Sequence, residues 1–154
     1  MMMPSMLRLL LIAMLLAIAV ETAAGPGDAA APATVAAHPR YDAALRAYES
    51  AQYAAAAAQL EQLLGHQPLC ARCAHLLGKS YGRLAERAGW LEAMSLARKT
   101  RTALEQAVEL APHDREALSD LIKYYRAAPA FLGGNRDKAD ALEQRLRATP
   151  GQTG

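Results

Sequence analysis

The chain has 154 residues, 53% apolar, 5% aromatic and 21% charged, with a formal net charge of +2. That length suits one small domain. A charge this slight excludes the basic surplus of a nucleic-acid binder, so no nucleic-acid partner is expected.

Residues 1–24 read as a secretory signal peptide. Arg8 supplies a positive charge ahead of an unbroken apolar run, residues 9–20, that is too short to span a bilayer comfortably. Small residues follow at cleavage spacing, either Ala17-x-Ala19 or Thr22-x-Ala24. The competing reading is an uncleaved membrane anchor. With cleavage, no stable membrane span remains, and the protein is exported, to the periplasm or beyond the cell. Residues 25–38 are rich in Ala and Pro and lack apolar periodicity, as a flexible linker does.

Residues 39–150 form the domain, and 151–154 are expected to be a disordered tail. Apolar residues at helical spacing predict six amphipathic helices, at 39–50, 53–65, 69–87, 91–110, 114–127 and 135–148. Abundant alanine favours these helices and lets their backbones approach. Gly65 is expected to close the second helix in a left-handed conformation. Pro112 stops the fourth, Asp114 caps the fifth, and Asn135 caps the sixth after two glycines.

Two stretches repeat at one spacing. Ala71, Ala74, Leu77, Gly78 and Tyr81 recur 44 residues later as Arg115, Leu118, Leu121, Ile122 and Tyr125. Leu60, Leu63 and Pro68 are echoed at the same offset by Leu104, Ala107 and Pro112. A fixed period of tens of residues marks stacked helix–turn–helix repeats.

On these residues the chain resembles the tetratricopeptide repeat family. Tyr53 stands at the aromatic position of that motif's second helix, Ala56 at the small one, Leu60 at the large apolar one and Pro68 at the terminal proline; Leu63 replaces the usual alanine. Ala74, Leu77, Gly78 and Tyr81 fit the first helix of the next repeat, and Leu118, Leu121 and Tyr125 that of the third, where Ile122 replaces a small residue. The first helix fits through Ala44, and the last through Gly134, Ala139 and Leu146. The segment 128–139 also resembles one found in some small bacterial exported repeat proteins. The resemblance implies an all-α fold, a right-handed stack of three helical hairpins forming a small α-solenoid.

The family period is about 34 residues, so the middle repeat carries about ten more. They fall between residues 81 and 97, which predicts an extended second hairpin with each helix about five residues longer. A shorter insert surrounds residues 129–133. These inserts hold Trp90 in one and Phe131 and Leu132 in the other, and stacked repeats should bring them together. They are read either as a small satellite core or as an exposed patch for a partner.

In this family the first helices line a concave face. Carried over by position, that face holds Tyr41, Leu45, Tyr48 and Glu49, then Arg72, His75, Lys79 and Arg83, then Glu116, Ser119, Lys123 and Arg126. Five cations against two glutamates predict a basic groove for an extended acidic protein or peptide. The alternative is an ordinary solvated face.

Cys70-Ala-Arg-Cys73 places two thiols on one face at the start of the third helix, within disulfide range. A local disulfide is expected in an oxidising compartment. A redox-active dithiol is the alternative, though the strand that usually precedes such a motif is missing. Haem attachment fails because Ala74 separates Cys73 from His75. Zinc would need His66 or His75, with no second close ligand pair. No catalytic set, cofactor or metal is expected. The function expected is non-catalytic protein binding in the cell envelope. A thiol–disulfide role is the first alternative and a self-associating structural repeat protein, a homo-oligomer, the second.

Overall fold

The structure is a computed structural model that describes residues 39–149. The signal peptide expected at 1–24, the linker at 25–38 and the tail at 151–154 lie outside the described residues. The described residues form six α-helices and one short 3₁₀ turn, with no strand among them. The helices are α1 (Pro39–Glu49), α2 (Tyr53–His66), α3 (Ala71–Ala85), α4 (Trp90–Leu110), α5 (Arg115–Ala127) and α6 (Arg136–Ala148). The 3₁₀ turn Ala130–Leu132 lies between α5 and α6. No helix among the described residues is long and apolar enough to cross a membrane.

Local chemistry accounts for most of the helix ends. The Asp114 side chain accepts hydrogen bonds from the Glu116 and Ala117 amides, satisfying donors that the first turn of α5 leaves free. Asn135 does the same for the Lys138 amide at the start of α6. Gly89 is the N-cap of α4. Gly65 departs from expectation. It lies inside α2, which runs one residue further and closes with the Gln67 amide on the Leu63 carbonyl. Gly133 is the left-handed glycine among the described residues, at φ 92°. A Cβ there would also strike the Arg101 guanidinium.

Each helix packs on its neighbours in sequence, most extensively α3 on α4. Two apolar clusters result. One gathers Ala44, Ala57, Leu60, Leu63, Cys73, Leu76, Leu77, Tyr81 and Ala103 from α1 to α4. The other gathers Ala74, Leu104, Ala107, Val108, Leu118, Leu121, Ile122, Tyr125, Ala139 and Leu142 from α3 to α6. Helices α3 and α4 serve both, which is why α3 is buried along most of its length. Their approach depends on Gly78, where a Cβ would sit 2.8 Å from the Leu104 side chain. Any larger residue would overpack that contact.

The hairpin extension is lopsided. Helix α4 has 21 residues and α3 has 15, against 13 in each of α5 and α6. The added length therefore lies mainly in α4, about 12 Å at helical rise. Residues 86 and 87, expected to continue α3, form the turn instead.

Candidate functional site

The residues expected to line the groove carry a network of ion pairs. Lys79 Nζ donates to Glu116 Oε1 at 2.8 Å, joining α3 to α5. Burial lowers the Lys79 pKa, but the hydrogen bond and charge of Glu116 outweigh it and hold the ammonium above its usual value. Lys123 Nζ donates to Asp120 Oδ1 at 2.9 Å. The other oxygen of Asp120 lies 2.9 Å from His75 Nε2. The His75 hydrogen bond, opposed by burial and aided by Lys123, lowers the Asp120 pKa to about 2. An ionised carboxylate only accepts, so His75 Nε2 is the donor.

The outer cations are also engaged. Arg126 reaches Asp140 at 3.1 Å and Glu143 at 2.9 Å on α6, and Arg83 reaches Glu86 at 3.1 Å. The Arg72 guanidinium lies 4.1 Å from the centre of the Tyr41 ring, a cation–π contact. Tyr48 faces Lys79 at 5.7 Å and tilts against Tyr53 at 5.2 Å. Tyr41, Leu45 and Tyr48 are half-buried against the first apolar cluster.

Four of the five cations expected to make the groove basic thus have acidic partners. The reading from first helices counted Glu49 and Glu116 as the acids of this face. Asp120, one residue beyond Ser119, adds a third acid, and Asp140 and Glu143 reach across from α6. Spacing could have found one of these contacts, because Asp120 and Lys123 are three apart on a helix. The His75–Asp120 bond spans 45 residues, and only the repeat offset hints at it.

His75, Glu116 and Asp120 bring three potential ligand atoms within 4.8 Å of one another. Both carboxylates already accept from lysine ammonium groups, which a divalent cation would have to displace. The arrangement is suited to locking α3 against α5.

The repeat offset recurs in two hydrogen bonds. Tyr81 donates to Glu61, and Tyr125 donates to Glu105 at 2.6 Å. Tyr81 lies late in α3 and Tyr125 late in α5, and each glutamate lies on the helix before. Burial and the neighbouring carboxylate raise the pKa of both phenols. The glutamates share the 44-residue echo and were legible in the sequence.

The two inserts do not meet. The 3₁₀ turn docks on the middle of α4, where Tyr124 Oη donates to the Leu132 carbonyl at 2.9 Å and Arg101 approaches it at 3.5 Å. Trp90 lies three turns away at the start of α4, about 16 Å along the helix. No satellite core forms. Trp90 is 72% exposed, Leu91 73% and Phe131 67%, while Leu132 is buried and belongs to no surface patch.

Cys70 and Cys73 are joined by a disulfide, with their Cα atoms 5.2 Å apart. Cys70 is the N-cap of α3 and partly exposed; Cys73 points into the first cluster at 1% exposure. A shallow depression of about 410 Å³ beside them is lined by Gln67, Pro68, Leu69 and Cys70. No family model, curated protein or solved structure matches this chain.

Proposed function

We propose that the domain is a non-catalytic binding scaffold of the cell envelope, a tetratricopeptide-like right-handed stack of the hairpins α1–α2, α3–α4 and α5–α6. The Tyr81–Glu61 and Tyr125–Glu105 bonds support the stack, since one contact type recurs at the repeat offset. Export rests on the reading of residues 1–24 as a cleaved signal.

The observation that carries the choice of surface is the exposure of Trp90 and Leu91 side by side at the hairpin tip. Buried aromatic anchors dominate binding energy at protein interfaces. Leu91, Met94 and Arg98 follow one another on a face of α4, and Arg87 lies just before it. The partner that fits is a protein with an apolar pocket edged by carboxylates. The concave face is the weaker candidate. An acidic peptide there would have to replace Glu116 and Asp120, exchanging one set of ion pairs for another with little net gain.

A photo-crosslinking residue at position 91, and separately at 126, tests this in cells. Crosslinks to another protein at 91 and few at 126 are expected. Crosslinks at 126 alone would return the site to the concave face, and crosslinks to a second copy at 91 would make the tip a self-association surface.

A further inference from the structure

We infer that the Cys70–Cys73 disulfide is an exchangeable redox site that accepts electrons from a dithiol on another exported protein or peptide. This inference is independent of the docking tip. Four features meet at one place. First, the two sulfurs differ in access. Cys70 is partly exposed at the head of α3, whereas Cys73 is 1% exposed among Ala44, Leu76 and Leu77, so an incoming thiolate can reach only the Cys70 sulfur. Second, the closed loop is only four residues long, so the bond constrains the unfolded chain little and is correspondingly easy to reduce.

Third, the sulfur that is attacked sits on the N-cap of a 15-residue helix, where the free amides and the helix dipole favour a thiolate at Cys70 after release. Fourth, the depression of about 410 Å³ that Cys70 helps to line gives an apolar side chain of the partner somewhere to rest. Leu69 borders it at 80% exposure. The segment is held in place: the Cys70 amide bonds to the Gln67 carbonyl at 3.2 Å, and Gln106 of α4 donates to the Pro68 carbonyl at 3.2 Å.

The exchange balances as follows. A thiolate of the partner attacks the Cys70 sulfur. The Cys70–Cys73 bond breaks, its electron pair goes to Cys73, and Cys73 takes a proton. The partner's second thiolate then attacks its own sulfur in the mixed disulfide and expels the Cys70 thiolate, which is protonated in turn. The partner's dithiol has lost two electrons and two protons and become a disulfide, and the domain holds two thiols. The site thus takes extended chains that carry a thiol pair beside an apolar residue.

The probe is a synthetic peptide with two thiols and an adjacent leucine, incubated with the full-length, oxidised, folded protein. The expected result is peptide oxidation matched one for one by new thiols on the protein, with helical circular dichroism retained throughout. In the reduced protein, Cys70 should alkylate more than about tenfold faster than Cys73. Leu69→Ser, which adds no charge beside the thiol, should slow exchange with the peptide more than about fivefold while leaving alkylation of Cys70 by a small reagent unchanged. Cys73→Ala, which avoids burying a hydroxyl, leaves Cys70 a free thiol with no disulfide to give up, so peptide oxidation should cease. A disulfide that yields only when the helices unfold overturns the inference. So do equal alkylation rates at the two cysteines, or an exchange rate indifferent to Leu69→Ser.

Discussion

Around Asp120, Lys79 and Lys123 each lie within 3 Å of a carboxylate oxygen. At the start of α4, Trp90 and Leu91 present almost three-quarters of their surface to solvent. The first region is rich in charge and already neutralised by its own fold. The second carries apolar side chains left exposed between charged neighbours such as Arg87 and Glu92. A row of cations on one helix is therefore no measure of what a face can bind, because the helix beside it decides how much of that charge is surplus. Apolar surface at a hairpin tip has no neighbouring helix to cover it.

The sharpest way to break this comparison is at the tip. Trp90→Ala should weaken partner binding by about thirtyfold or more, the hot-spot scale of about 2 kcal/mol. Calorimetric titration of the crosslinked partner, once identified, gives the affinity. The melting temperature should move by no more than about 2 °C, since the side chain barely packs on the domain. A matching loss of stability would place Trp90 in the fold instead.

Next in size is Asp120→Ala. It strips the acceptor from His75, which is 8% exposed, and should cost about 1–3 kcal/mol in urea unfolding. No measurable loss would mean that the network decorates the α3–α5 contact without holding it.

A third test is acid titration. The Asp120 pKa is lowered on folding from 3.8 to about 2. Its contribution to stability is complete above the unfolded value and disappears as pH falls through the interval between the two values. The unaltered protein should lose stability more steeply across that interval than Asp120→Asn, whatever the variant's starting stability. Parallel curves would remove the His75 and Lys123 contacts as the cause.

The smallest effect belongs to the lysines. Lys79→Ala and Lys123→Ala should each change stability by less than about 1 kcal/mol, and by less still in high salt, because both pairs reach solvent. A larger loss would make these two ion pairs principal supports of the fold.

Much of the helical layout was legible before any contact was known. Asp114 and Asn135 announce the starts of α5 and α6, and Pro112 follows the end of α4, because capping and breaking are settled by residues within a turn of one another. Gly65 does not stop α2 for a related reason: a glycine permits a left-handed end without requiring one, and the helix continues past it. The candidate surfaces were less legible. Trp90 and Phe131 both fell in inserts, yet only the docking of the Ala130–Leu132 turn on Arg101 and Tyr124 keeps them apart.

The sequence by itself determined where the helices lie, their 44-residue echo, and a cysteine pair close enough to bond, since each follows from spacing along the chain. The tertiary structure alone decided which charges cancel, which aromatic residues stay in water, and which of the two cysteines faces out. Those outcomes depend on contacts such as Lys79–Glu116 and His75–Asp120, which join residues 37 and 45 apart. No helical period encodes such contacts; they arise when α3 settles against α5.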